Sequence, residues 1–232
     1  MIEKGVFEES LLHPIQFWGK KSKSEVNDLL GVEVAQMVAY NQNNLHHCYD
    51  LFLHALNTVQ NINKDLPTLL RVAAFFHDIG KPFVAQEKQG HLVFYGHAQE
   101  SEKIAAPILK RLGYHEHEVR TICFFISHHD DFISWVLPSE QYNHDNPYLI
   151  EISKENLDSH IKKVMNNIKC VDSFEIYEMW YHLFLLCIAD ASAQSEYVYK
   201  NNVVTDSREH KVEKIRMLIT VLSTINFDKN GK

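Results

Sequence analysis

Residues 69–82 read LLRVAAFFHDIGKP, an almost unbroken apolar run that ends in a histidine, an aspartate, a glycine and a proline. The apolar part predicts a helix in the core of the fold, and Gly80 and Pro82 predict that the helix ends there. Burial of His77 and Asp78 without partners would cost several kcal/mol. Because imidazole nitrogen and carboxylate oxygen both bind divalent transition metals, this stretch favours a metal site at the end of a core helix.

Further polar residues lie in or beside strongly apolar segments elsewhere in the chain. They are His54, His97, His128, His129 and Asp190. A single histidine of this kind is more often a hydrogen-bonded core residue than a ligand. An aspartate in apolar surroundings is a stronger signal, because Asp is almost never fully buried without a partner. The order His, His-Asp, His, His, Asp is therefore much more specific than any one of its members.

With these residues assembled, the chain resembles the HD superfamily of metal-dependent phosphohydrolases. The family pattern is a histidine, a His-Asp pair and a distant aspartate, often with two more histidines between them. The segments that carry the resemblance are 47–56 (HCYDLFLHAL), 73–82 (AAFFHDIGKP), 92–97 (LVFYGH) and 109–112 (LKRL). The resemblance extends over about 44–195 and is strongest to the HD module of bacterial tRNA nucleotidyltransferases and to related free-standing HD proteins.

The resemblance implies a set of metal ligands. Its first metal site corresponds to His54, His77, Asp78 and Asp190, and its second site corresponds to His97 with either His128 or His129. Counting from the apolar residues before the doublet favours His129, whereas other HD branches use the first histidine or both.

Two departures from the relatives limit the resemblance. Ala98 stands where many relatives have an acidic residue, and the 43 residues before the HD region carry no nucleotidyltransferase signature. No Gly-Tyr-Pro follows the His128-His129 doublet, which argues against the cyclic-dinucleotide branch.

Three residues are candidates for catalysis. Asp78 is the natural bridge between two ions, because a carboxylate has two oxygens and this one lies between two groups of ligands. Lys81 follows directly and could offer a positive charge to a phosphate, or it could simply be a cation at a helix C-terminus. His47 precedes His54 by two turns of a predicted helix and is a candidate proton donor or substrate contact.

The most direct functional interpretation is a metal-dependent phosphohydrolase, either a phosphomonoesterase or a phosphodiesterase, that acts on a small phosphorylated substrate such as a nucleotide. One or two divalent ions (Zn, Mn, Fe, Co, Ni or Mg) would activate a water molecule. Two alternatives stay open: a non-catalytic HD module that binds a nucleotide, RNA or a protein partner, and a di-iron oxygenase of the same superfamily.

The composition limits partners and location. A net charge of −7 disfavours an extended nucleic-acid surface. The scattered positions of the four cysteines are typical of reduced, mostly buried thiols in a cytoplasmic protein. No apolar stretch approaches the roughly 20 residues that span a bilayer.

The pattern along the chain predicts an all-α fold, a single-domain helical bundle of the HD type with a long loop or small hairpin after the His-Asp helix. An N-terminal arm and helix (1–43) and a C-terminal helix (196–232) would pack on an HD domain at 44–195. Helices are predicted at 24–40, 44–60, 67–79, 98–112, 115–129, 132–137, 154–168, 171–195 and 207–225.

Overall fold

The computed structural model describes residues 2–138, 148–166, 168, 173–200 and 203–225, and it is mainly helical. The first helices are α1 (Lys4–Ser10), α2 (Pro14–Trp18), α3 (Lys23–Leu30), α4 (Val32–Ala35), α5 (Leu51–Gln60) and α6 (Thr68–Phe76). The remaining helices are α7 (Lys81–Val84), α8 (His97–Arg111), α9 (Glu116–His128), α10 (Lys154–Met165), α11 (Ser173–Ser192) and α12 (Arg208–Leu222). The predicted all-α fold class is confirmed.

Helix α6 forms the centre of the core, and α5, α9 and α11 pack around it. Its apolar residues from Leu70 to Phe76 are fully buried. Phe75 and Phe76 lie edge-on to each other, and Phe7 of α1 contacts both rings. Buried aromatic and aliphatic area of this kind is the dominant stabilising term in a domain of this size.

The chain turns sharply after α6 because Gly80 lets α8 approach closely. A Cβ at this position would lie 2.5 Å from the backbone nitrogen of Ser101 and 2.6 Å from the carbonyl oxygen of His97. The Gly80 N–H donates to the Ser101 hydroxyl at 2.8 Å. This contact sets the start of α8, and with it His97, directly beside the end of α6.

The predicted hairpin after the His-Asp helix is present as β1 (Gln86–Lys88) paired antiparallel with β2 (His91–Val93). Gln89 and Gly90 both have positive φ, as a two-residue type I′ turn requires. The backbone N–H of Leu92 donates to the carbonyl of Asn43, which ties the hairpin to the segment before α5.

Several predicted boundaries were wrong. The helix expected at 44–60 begins only at Leu51, because the Asp50 side chain accepts a hydrogen bond from the Leu53 N–H and caps the helix. His47 consequently lies in an irregular segment before α5. The helix expected at 24–40 is divided into α3 and α4, and the N-cap of α3 is Ser22, whose capping box is completed by Glu25.

Residues 132–137 do not form the expected helix. They form turns followed by the short strand β3 (Trp135–Val136), which pairs in parallel with β4 (Ile150–Glu151). A further antiparallel pair, β5 (Tyr197–Lys200) with β6 (Val203–Asp206), was not predicted. Residues 139–147 lie outside the described residues.

The described helices include none with the length and apolar character needed to cross a membrane. Cys123 and Cys187 are buried thiols, Cys48 is exposed, and Cys170 lies outside the described residues. The cytoplasmic location stays a prediction.

Candidate metal centre

Six of the predicted ligands converge at one end of the helical core. They are His54, His77, Asp78, His97, His129 and Asp190. His54 lies in the middle of α5, and the His77-Asp78 pair lies in the turn after α6. His97 is the first residue of α8, His129 follows the last residue of α9, and Asp190 lies near the end of α11. Their side chains are buried, except that Asp190 keeps 17 % of its side-chain surface exposed and so borders the opening of the site.

The first group consists of His54, His77 and Asp190, with Asp78 alongside. The Nε2 atom of His54 lies 2.9 Å from Asp190 Oδ1 and 3.4 Å from Asp78 Oδ2. The Nε2 atom of His77 lies 3.5 Å and 3.3 Å from the same two oxygens. Two nitrogen and two oxygen atoms thus surround one small volume.

The second group uses the other oxygen of Asp78. Asp78 Oδ1 lies 3.2 Å from His97 Nε2 and 3.6 Å from His129 Nε2, and these two nitrogens are 3.2 Å apart. Asp130 lies at the edge of this group, with Oδ2 3.9 Å from His97 Nδ1. Asp78 therefore stands between two pairs of histidines and directs one oxygen to each pair.

Each of the four histidines is oriented by a hydrogen bond from its second ring nitrogen to a backbone carbonyl. The Nδ1 atoms of His77, His97 and His129 lie 2.7, 2.9 and 2.7 Å from the carbonyl oxygens of the residues three positions earlier. His54 Nδ1 makes a longer contact, 3.3 Å, to the carbonyl of Ala193. With Nδ1 protonated, each Nε2 carries a lone pair that points into the site, which is the arrangement seen in metal-binding histidines.

The donor atoms fit a divalent metal ion. The Nε2 atoms of His54 and His77 and the Oδ1 atom of Asp78 are buried and make no hydrogen bond of good geometry to the described residues. Two ligands about 2.1 Å from one ion are roughly 3.0–3.4 Å apart at octahedral or tetrahedral angles, and the contacts within the two groups span 2.9–3.6 Å. Buried polar atoms that lack a partner are costly, so an ion would stabilise this arrangement.

The ionisation of these groups in the metal-free protein is strongly coupled. Burial lowers the pKa of His54, but the hydrogen bonds and charges of Asp190 and Asp78 raise it more, to about 9. The pKa of His77 is raised to about 9 by the same two carboxylates against the effect of burial. Burial raises the pKa of Asp78 and of Asp190, yet the neighbouring histidines hold both values well below the usual range. A metal ion must therefore displace protons from the histidines when it binds near neutral pH.

Lys81 and His47 line the site beside Asp78. Lys81 is buried, and its ammonium lies 2.6 Å from Asp78 Oδ2 and donates to Gln42 at 3.0 Å. His47 Nε2 is 3.3 Å from the same ammonium and accepts from it. Burial, followed by the charges of Lys81 and His54, lowers the pKa of His47 to about 2. His47 is therefore neutral when no metal ion is bound, with its proton on Nδ1, and its role as proton donor or substrate contact stays a prediction.

The structure does not bring His128 to the metal centre. Its Nδ1 atom donates to Asp131 Oδ2 at 2.8 Å, and His160 Nε2 donates to the same oxygen at 3.0 Å. In the described part of the chain, His128 belongs to none of the groups that could hold a metal ion. Of the two candidates from the doublet, the geometry favours His129.

Sequence reasoning missed two features of the site. Asp130 follows the histidine doublet directly, and its position in the sequence was a usable signal. Lys211 of α12 gave no such signal, because it lies far along the chain in a mixed polar segment. Burial lowers the pKa of Lys211, and the charges of Asp190 and Lys81 act on the same amine.

Comparison with known proteins identifies part of the chain. Residues 44–157 match the family model of the HD domain. This match covers 114 of the 232 residues, just under half of the chain. The resemblance recognised from the sequence is thus confirmed, and HD domains are generally metal-dependent phosphohydrolases with an all-α fold.

One curated relative is the CC-adding tRNA nucleotidyltransferase of Thermus thermophilus, which is 31% identical over 129 residues. The match covers 52% of this chain and 29% of that protein. The chain therefore spans less than a third of the relative's length.

Proposed function

We propose that this protein is a metal-dependent phosphohydrolase that acts on a nucleotide or another small phosphate ester. The observation that carries the proposal is the position of Asp78, whose two oxygens face two separate pairs of histidines. A shared carboxylate of this kind is suited to two neighbouring ions, and the HD domain match supports the same chemistry.

The protein side chains have distinct roles in this proposal. Divalent ions held by the two groups would lower the pKa of a water molecule toward about 7 and neutralise charge on the phosphate. Asp78 directs one oxygen to each group and so links the two sets of ligands. Lys81 places a buried ammonium beside Asp78, where it can donate to a phosphate oxygen. The Nδ1–H of His47 is buried and has no partner among the described residues, so it can donate to the substrate.

The test compares Asp78→Ala with Asp158→Ala, a surface aspartate of α10 that pairs with Lys162. Purified protein would be analysed for bound metal, loaded with Zn, Mn, Fe, Co, Ni or Mg, and assayed against a panel of nucleotides and generic phosphate esters. We expect Asp78→Ala to lose bound metal and all phosphohydrolase activity, because it removes a ligand of both groups at once. The Asp158→Ala variant should retain both.

Two results would contradict the proposal. If Asp78→Ala keeps its metal and its full turnover, Asp78 is not the shared ligand, and if the metal-loaded wild type hydrolyses no ester, a non-catalytic binding module is the better interpretation. Histidine and carboxylate also bind iron well, so bound iron together with oxygen uptake and no ester hydrolysis would indicate the oxygenase chemistry instead.

A further inference from the structure

Helix α12, which lies outside the matched HD domain, brings a lysine to the metal centre. The ammonium of Lys211 donates to the side-chain oxygen of Gln194, and the Gln194 amide donates to both oxygens of Asp190 at 3.3 and 3.2 Å. Arg208 holds the backbone of this segment by donating to the Gln194 carbonyl at 3.0 Å. Lys211 is thus separated from a predicted metal ligand by one amide group.

The surroundings of Lys211 are those of an anion-binding group. Its side chain is half-buried, and the charges of Asp190, Lys81, Asp130 and Lys214 all act on its amine. A lysine ammonium has three N–H donors, and a single acceptor, Gln194, is identified among the described residues.

The charge balance of the centre indicates what kind of anion fits. The carboxylates of Asp78, Asp130 and Asp190 and the ammonium groups of Lys81 and Lys211 together carry a net charge of −1. Metal-binding histidines are neutral, so two divalent ions would change this sum to +3. A phosphate group with two negative charges offsets such an excess better than a phosphodiester with one charge.

We propose that Lys211 and Lys81 bind the non-bridging oxygens of a dianionic terminal phosphate, so that the substrate is a phosphomonoester and not a phosphodiester. This inference rests on the proposed function, since it names the substrate class of the same centre. Lys81 reaches the phosphate from the side of Asp78, and Lys211 reaches it from the side of Asp190. The C-terminal helix would then supply a specificity residue that the HD domain itself does not contain.

The competing explanation is structural. Lys211 could act only through Gln194, by holding Asp190 in position as a ligand. In that case its removal would weaken metal binding, whereas a phosphate contact predicts that metal binding is kept.

Binding experiments on the metal-loaded protein separate the two explanations without relying on turnover. Inorganic phosphate, a dianion at pH 8, and dimethylphosphinate, a monoanion, are both phosphorus oxyanions without an ester bond. Isothermal titration calorimetry would give their affinities for the wild type, Lys211→Met and Lys211→Arg, with metal content measured for each. Lys162→Met, an exposed lysine of α10, is the matched control.

We expect the wild type and the Lys162→Met control to prefer phosphate over dimethylphosphinate. Lys211→Met should weaken phosphate binding by about 10-fold or more with unchanged metal content, and dimethylphosphinate binding much less. Lys211→Arg should restore most of the phosphate affinity, because arginine also donates to phosphate oxygens.

Two outcomes would overturn the inference: an unchanged preference in Lys211→Met, or joint loss of metal and phosphate. Failure of the proposed function is recognised separately. If the wild type hydrolyses no ester but shows the Lys211-dependent preference for phosphate, the proposed function fails and the inference about the phosphate site stands. If the wild type hydrolyses esters and Lys211→Met binds phosphate normally, the proposed function stands and the inference about Lys211 fails.

Discussion

Two clusters of histidine and aspartate meet at the C-terminal end of α9, and they are built in opposite ways. His129 belongs to the metal centre, where its Nδ1 donates to a backbone carbonyl and its Nε2 faces Asp78. His128, its neighbour in the sequence, donates from Nδ1 to Asp131, which also accepts from His160. In the first cluster the Nε2 atoms of His54 and His77 face carboxylates without well-formed hydrogen bonds, whereas in the second cluster a ring nitrogen of His128 and one of His160 already donate to a carboxylate.

The two clusters also differ in how deeply their side chains are buried. Residues of the metal centre are almost fully buried, so polar atoms without partners are costly there. The cluster of His128, Asp131 and His160 keeps about a fifth of each side chain exposed. The hydrogen bonds of His128 and His160 lower the pKa of Asp131 to about 2, although burial raises it. The candidate metal centre thus differs from the structural cluster by ring nitrogens that face carboxylates without well-formed hydrogen bonds, and not by the presence of histidine and aspartate alone.

The most direct test of this difference between the clusters is to replace the two neighbouring histidines one at a time. His129→Ala should reduce the affinity for the second ion, and with it hydrolysis of the substrate, by about 100-fold or more, because loss of a ligand opens the site. His128→Ala should leave metal stoichiometry and hydrolysis close to wild type. Metal analysis after dialysis, with the same phosphate-ester assay, measures both effects.

The doublet experiment has a clear contrary result. If His128→Ala loses the second ion while His129→Ala retains it, the assignment of the two clusters must be exchanged. Equal losses in both variants would indicate that both histidines serve the metal, as in some relatives.

A smaller effect is expected from the structural cluster itself. Asp131→Ala removes the acceptor shared by His128 and His160 and should lower the free energy of unfolding by about 1–2 kcal/mol. For a chain of this size that corresponds to a fall in Tm of roughly 2–8 °C. Thermal unfolding followed by circular dichroism measures the change, and metal content should stay at the wild-type level. Loss of metal with unchanged Tm would contradict the structural role.

The composition of the site could be predicted largely from sequence because polar residues in apolar helices are anomalous. His77, Asp78 and Asp190 stood out for this physical reason, and the structure brings them together. The choice between His128 and His129 could not be made, since adjacent residues on a helix point in directions that depend on the neighbouring elements. Here Asp131 and His160, which come from a turn and from α10, hold one of the two rings.

The features that sequence reasoning missed have both local and long-range causes. The start of α5 was misplaced because the helix-like pattern extended through a segment that the Asp50 cap excludes from the helix. The position of Lys211 depends on how α12 packs against α11, which no local pattern encodes. The hairpin β5–β6 between those helices likewise has no apolar alternation strong enough to predict it.

The last expected effect concerns the pH dependence of the metal-free centre. The pKa values of His54 and His77 are about 9 in the metal-free fold, compared with about 6.5 in an unfolded chain. A raised pKa means that the protonated rings stabilise the fold fully below pH 6.5, and that this contribution is lost as the pH rises through 9. We therefore expect the Tm of the metal-free protein to fall between pH 6.5 and pH 9. The metal-loaded protein is the control, because ligands bound to an ion carry no proton to lose, and its Tm should stay level or rise over the same range.

The structural cluster contributes nothing to this difference between the two forms, since Asp131 with its pKa of about 2 stays ionised throughout. A parallel fall of both forms would show that the titrating groups lie outside the metal centre, and the distinction between the two clusters would lose its electrostatic basis.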